Sequence, residues 1–257
     1  MEQKAALITG AASGIGLALS RELAEQGYTV ILTDANLEAA QAAAELLCSE
    51  GLSAVPHCLD VCSDSDIAQV VEALEKDNLQ VSVLVNNAGI QHVSKLEDFP
   101  VDRWRLINNV LLVGPAMLTR AFLPMMRRQN FGRIINVGSI HSLVASAHKS
   151  AYVAAKHGLL GFSKVVALET ANQDITINTL CPSYVKTPMV EKQIANQAKE
   201  NGISEEDVVY KIMLEPMPKK SFIEMDELAG AMNYLISDAA RNMTGQEMVL
   251  DGGWTAR

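Results

Sequence analysis

The chain is short of cysteine: Cys48, Cys58, Cys62 and Cys181 are the only four in 257 residues, and their spacing forms no disulfide framework. Reduced thiols in a cytoplasmic setting are therefore expected. It is also short of positive charge, with 21 Lys and Arg against 30 Asp and Glu, a formal net charge of -9. Binding to phosphate backbones or anionic membranes rests on clustered Lys and Arg, so neither nucleic acid nor a membrane is an expected partner. A local basic pocket for a small anion stays compatible with that balance. Metal-ligating clusters are scarce too. His57, Cys58 and Cys62 stand close together, but no second pair completes a zinc-type set, and no metal is expected. The apolar stretch ALITGAASGIGLALS lacks the basic flank of a secretory signal and is interrupted by glycines. With no internal repeat and no break in composition, residues 1–257 read as a single domain.

What the chain does have is a core-forming composition, 49% apolar and 20% charged, typical of a folded globular chain. Short apolar runs (KAALIT, YTVILT, SAVPHCL, VSVLVN, GRIINV, ITINTL, EMVLDG) alternate with longer helical patterns from end to end. That alternation predicts an α/β fold, a doubly wound, mostly parallel Rossmann-type sheet of about seven strands with helices on both faces. The strands are nearly continuous in apolar character, as a sheet covered on both sides requires. One region departs from the rhythm: residues 187–222 form a long polar helical excursion, the kind of insertion that serves as a lid over a site.

The first strand runs into TGAASGIG, residues 9–16, which opens a helix. Gly10, Gly14 and Gly16 allow a sharp turn and close approach, and with Ser13 and Ile15 they bring free helix-start amides to a pyrophosphate. Asp34 ends the second strand about twenty residues on, where a carboxylate accepts from ribose hydroxyls and repels a 2′-phosphate. NAD rather than NADP is the expected cofactor. Asp60 and Val61 after the third strand, and Asn87, Ala88 and Gly89 after the fourth, occupy further strand ends where such a cofactor lies; Asp60 is placed to meet the adenine amino group.

TGAASGIG, the DV pair at 60–61, NNAG at 86–89, Ser139 and YVAAK at 152–156 occur in one order. Together they resemble the short-chain dehydrogenase/reductase family over essentially the whole chain. The resemblance implies Ser139, Tyr152 and Lys156 as the catalytic set, and Pro182, Val185 and Thr187 of CPSYVKTP as further cofactor contacts. Tyr152 and Lys156, one helical turn apart, are then the acid–base pair. An ammonium nearby and a positive nicotinamide are expected to lower the phenol from its ordinary value near 10. Ser139 holds the reacting oxygen. Many members carry an asparagine on the helix after NNAG; here that register falls on Leu111, with Asn108 and Asn109 just before it.

The stretches around Gln91, His141, Lys149 and Gln193, together with CPSYVKTP and DGGWTAR, resemble the bacterial members that act on D-3-hydroxybutyrate. That resemblance implies a carboxylate-binding set of Gln91, His141, Lys149 and Gln193, with Ser139 and Tyr152 also meeting the substrate. Read as isolated residues, Lys149 suits an exposed helix start and His141 a structural hydrogen bond. If the backbone between Ser139 and His141 is extended, both point to one side. His92 and His157 read as structural and Trp254 as a packing or subunit-contact residue. Tyr184 stands where many such enzymes have tryptophan. The expected activity is NAD-dependent interconversion of D-3-hydroxybutyrate and acetoacetate by a homotetramer. The alternatives are another small hydroxy acid, a 3-ketoacyl thioester, or a non-catalytic dinucleotide-binding scaffold.

Overall fold

The computed structural model describes residues 4–256. Strands β1 (Lys4–Thr9), β2 (Thr29–Asp34), β3 (Ala54–Cys58), β4 (Gln80–Asn86), β5 (Phe131–Val137), β6 (Asp174–Pro182) and β7 (Glu247–Leu250) form one sheet in the order β3-β2-β1-β4-β5-β6-β7. Every neighbouring pair is parallel. Side chains alternate across the sheet. Ala6, Ile8, Val30, Leu32, Val83, Val85, Ile135 and Val137 enter one buried cluster, and Ala5, Leu7, Ile31, Val81, Leu84 and Ile134 enter the other. The strands thus read as unbroken apolar runs because both faces are covered.

The first cluster packs under α1 (Gly14–Glu25) and α2 (Leu37–Ser49). The second packs under α3 (Asp64–Lys76), α4 (Val101–Asn108), α5 (Gly114–Gln129) and α6 (Ser150–Glu169). The starts of α2 and α3 are set by side-chain caps. Asn36 accepts from the Ala39 amide at 3.1 Å, and Ser63 accepts from the Asp66 amide at 3.2 Å. By length and composition Val101–Gln129 is apolar enough to cross a membrane, yet Leu118, Phe122, Met125 and Met126 are buried in the cluster against the sheet. Within this run a π-helical turn, Asn109–Val113, joins α4 to α5.

The excursion expected at 187–222 is helical. It contains α7 (Pro188–Asn201), α8 (Glu205–Val208) and a second π turn, Val209–Met213. Ile194, Val208 and Met213 give it a small core of its own, and Val185 bridges to Ile223 beneath it. Helix α9 (Met225–Ile236) then returns to the first cluster through Leu228, Met232 and Leu235.

Strand order reverses between β1 and β4, since β1 leads outward to β2 and β4 leads to β5. Loops leaving these two strands diverge and open a crevice at their carboxyl ends. Helix α5 closes tightly behind that crevice. A Cβ on Gly114 would lie 2.9 Å from the Val61 carbonyl oxygen. Exchanging a helical glycine for alanine usually stabilises by about 1 kcal/mol, but overpacking at this contact reverses the sign. Gly114→Ala is expected to destabilise by about 1–3 kcal/mol in urea unfolding; a stabilised variant would contradict the close packing of α5 on the loop after β3.

Candidate active site

A cavity of about 310 Å³ occupies this crevice. Its floor is the glycine turn. Gly10 and Gly14 adopt positive φ, +59° and +55°, which glycine reaches without strain. A Cβ on Gly16 would sit 2.3 Å from the Gly10 carbonyl oxygen, so no larger residue permits this turn. The Asn87 amide donates to the carbonyls of Thr9 and Gly10 at 2.9 and 3.0 Å. Thr9 Oγ1 accepts from the Asn87 and Ala88 amides, both at 3.0 Å. The loops after β1 and β4 are thereby stitched into one surface. Ser13 precedes α1 without a side-chain cap bond, and no acidic residue stands in the first turn, leaving helix-start amides available to an anion.

Asp34 lies at the end of β2 and on the cavity wall. Its carboxylate accepts from the Ala12 amide at 3.3 Å and the Asn36 amide at 3.0 Å, which fixes it beside the glycine turn. The crowded turn, free amides and oriented carboxylate suit a dinucleotide. Gly10, Ser13, Gly14, Ile15, Asn87, Gly89, Pro182, Val185 and Thr187 also line the cavity. Gly16, Asp60, Val61 and Ala88 do not. Gly16 and Ala88 pack beneath it against the Gly10 turn, and Val61 packs on Gly114. Asp60, two residues beyond β3, is exposed and turns its carboxylate to the Cys62 amide at 2.9 Å.

Ser139, Tyr152 and Lys156 meet on one side of this cavity. Helix α6 presents Tyr152 and Lys156 on one face. Lys156 Nζ lies 5.7 Å from the Tyr152 ring centre and donates to the Val137 carbonyl at 2.6 Å. Burial lowers Lys156 to about 8. Burial also pushes Tyr152 above its ordinary value, with a hydrogen bond to Ser139 pulling partly the other way. The protein's own groups thus favour the protonated phenol; the expected lowering rests on the ammonium and a positive nicotinamide together. Desolvation is the largest cause of that rise.

Ser139 does not continue an extended strand to His141. It caps a 3₁₀ turn, Ile140–Ser142, with Oγ accepting from the His141 amide at 3.2 Å and its own amide donating to Ser142 Oγ at 3.2 Å. The turn still delivers both side chains to the cavity. There His141 Nε2 faces Lys149 Nζ at 3.1 Å. Burial, and then the adjacent ammonium, lowers His141 to about 4, so the ring is neutral and accepts from Lys149. Burial lowers Lys149 to about 8. Gln193 on α7 donates to Gln91 Oε1 at 2.6 Å across 102 residues of sequence, and Gln91 Nε2 is buried with no partner. All four residues expected to hold a carboxylate thus line one cavity with Ser139 and Tyr152.

Sequence reasoning missed what stands behind Lys149. Its Nζ lies 5.6 Å from the Tyr184 ring centre. Tyr184 stacks on Trp254 at 6.1 Å, and Trp254 meets His141 edge-on at 5.9 Å. The tail is turned into place by Asp251, which accepts from the Gly253 and Thr255 amides at 2.8 and 2.7 Å. Trp254, expected as a packing or subunit-contact residue, packs within this chain. His92, edge-on to Phe99 at 5.1 Å, and His157, bonded to the Val153 carbonyl at 3.0 Å, stay outside the cavity. Among the described residues no cluster of metal-ligating side chains forms. Leu111 is buried and lines the cavity, Asn108 donates to the Trp104 carbonyl at 2.9 Å, and Asn109 is exposed. Neither asparagine lines the cavity.

A family model described as enoyl-(acyl carrier protein) reductase matches residues 10–255. The D-beta-hydroxybutyrate dehydrogenase of Rhizobium meliloti is 44% identical over 256 residues, covering 99% of both chains. That of Cupriavidus necator is 44% identical over 255 residues, covering 99% of this chain and 98% of the relative. Among solved structures, a variant actinorhodin polyketide ketoreductase with NADPH superposes with a TM-score of 0.94 at 30% identity, covering 99% of this chain and 98% of the other. The parallel sheet order agrees with these matches: the chain belongs to the short-chain dehydrogenase/reductase family and is an oxidoreductase.

Proposed function

We propose that the protein is an NAD-dependent dehydrogenase interconverting D-3-hydroxybutyrate and acetoacetate. The carrying observation is the convergence of Lys149, His141, Gln91 and Gln193 beside Ser139 and Tyr152. An ammonium and two side-chain amides offer a small acid anion several donors, with the neutral imidazole holding the ammonium, in a site walled by Ile90, Leu111, Val137 and Ile140. The two hydroxybutyrate dehydrogenases at 44% identity support this reading. A thioester reductase has no use for a buried ammonium at that end of the pocket.

A bound nicotinamide dinucleotide supplies the hydride acceptor. Asp34, held by two amides, accepts from ribose hydroxyls and disfavours a 2′-phosphate, which selects NAD. The carboxylate clamp orients the substrate so that its C3 oxygen meets Ser139 and Tyr152. In oxidation Tyr152 takes the hydroxyl proton; in reduction it returns one. Ser139 donates to the same oxygen. Lys156 keeps positive charge within reach of the phenol. Residues 187–222 act as a lid on a single domain, with Gln193 the lid residue that reaches the clamp. Assembly as a homotetramer is supported by exposed apolar side chains on α6, Val165 and Leu168. Cytoplasmic residence rests on the four free cysteines.

NADH formation measured by absorbance tests this assignment. D-3-hydroxybutyrate is expected to be oxidised, the L-enantiomer not, and NAD to be preferred over NADP on the order of a hundredfold. Tyr152→Phe is expected to lower kcat by about 10²–10⁴. No turnover of the D-acid together with tight NADH binding would overturn the substrate.

The shifted groups also set a pH profile. Tyr152 is held protonated, so oxidation accelerates as pH rises. Lys149 loses its proton near 8, so capture of the acid weakens above that pH and kcat/KM falls again. Lys149→Arg keeps the charge and is expected to remove the alkaline fall. Lys149→Ala is expected to raise KM by about 10–100-fold. An alkaline fall that persists in Lys149→Arg would assign it to another group.

A further inference from the structure

Beyond the Gln91–Gln193 hydrogen bond lies a second cavity of about 540 Å³. Ile90, Gln91 and Gln193 line both cavities, so the two amides form the partition between them. The outer cavity takes His92 from the segment after β4, Arg103 from α4 and Lys192 from α7. Among the described residues no carboxylate lines it, although acidic residues outnumber basic ones by nine in the chain. Asp102 and Glu191, next along the same helices, are not on its wall. Arg103 and Lys192 are exposed, and among the described residues they make neither an ion pair nor a hydrogen bond.

Unpaired cations grouped in a concave surface concentrate anions and accelerate their arrival by about 10–10³-fold. The partition itself is sensitive to an anion. Gln91 Nε2 is a buried donor with no acceptor, so a carboxylate reaching it supplies the missing partner. Gln193 spends its own amide on Gln91. Turning that amide to the same carboxylate breaks the bond and opens the wall.

We infer that the outer cavity is an anion-collecting antechamber, in which Arg103 and Lys192 capture a small carboxylate before it passes between Gln91 and Gln193 to the inner clamp. The inference rests on the reading of the inner site as a carboxylate clamp. It assigns a role to residues outside the catalytic cavity and makes one hydrogen bond both the barrier and the gate.

The test is stopped-flow mixing of acetate, a non-reacting carboxylate, with the protein–NADH complex, followed by NADH fluorescence at low and high salt. Wild-type association is expected to slow as salt rises. The double variant Arg103→Gln/Lys192→Gln is expected to associate about tenfold more slowly at low salt, with a flattened salt dependence, an unchanged dissociation rate and unchanged NADH affinity. A control pair on other faces, Lys76→Gln/Lys164→Gln, removes the same net charge and is expected to behave as wild type. Equal association rates in wild type and the Arg103/Lys192 variant overturn the antechamber, as does equal slowing in the control pair. Steered acetate association without hydroxybutyrate turnover sinks the substrate and keeps the antechamber. Absence of acetate association in any form overturns both.

Discussion

Asn87 holds the site together by donating one side-chain amide to two carbonyls of the neighbouring loop, those of Thr9 and Gly10. Strand order reverses between β1 and β4, and nothing in strand pairing joins the loops beyond their carboxyl ends. The Asn87 contacts, with Thr9 Oγ1 accepting two amides in return, convert a gap into a shaped surface. Gly16 must then be glycine, since its missing side chain is where Gly10 and Asn87 already are. Asp34 is fixed against the same turn through the Ala12 amide. Cofactor recognition and sheet topology are thus one constraint, set by backbone carbonyls that need donors when buried.

On the substrate side the organising fact is the burial of two lysines. Lys149 and Lys156 are each lowered to about 8 by desolvation, a cost that a protein sustains where a cation is used. Lys156 is partnered by a carbonyl and faces the phenol; Lys149 is partnered by a neutral imidazole and faces the open cavity. The aromatic wall of Tyr184 and Trp254 keeps Lys149 in a low dielectric while leaving its charge for an anion. On the proposed reading a small acid completes that arrangement electrostatically, and the clamp and the acid–base pair then belong to one site.

Much of this was legible in the sequence because its physical causes are local. Strands covered on both faces must be apolar throughout, and a glycine turn between strand and helix admits few substitutes. The grouping of Gln91, His141, Lys149 and Gln193 around one cavity was legible only through family resemblance, because Gln91 and Gln193 are 102 residues apart and their bond leaves no trace in periodicity. The 3₁₀ turn at Ile140–Ser142 was missed, since an extended and a turned backbone both bring Ser139 and His141 to the cavity. So was the π turn at Asn109–Val113, which interrupts the helical register where Leu111 meets the cavity.

The claim on which everything turns is that the buried ammonium and its partners recognise a carboxylate. The most direct measurement compares kcat/KM for D-3-hydroxybutyrate and its methyl ester, in wild type and in Lys149→Ala. Loss of one charge-assisted contact predicts that wild type favours the acid on the order of a hundredfold and that Lys149→Ala loses most of that preference. Equal turnover of acid and ester by the wild-type protein would contradict the account.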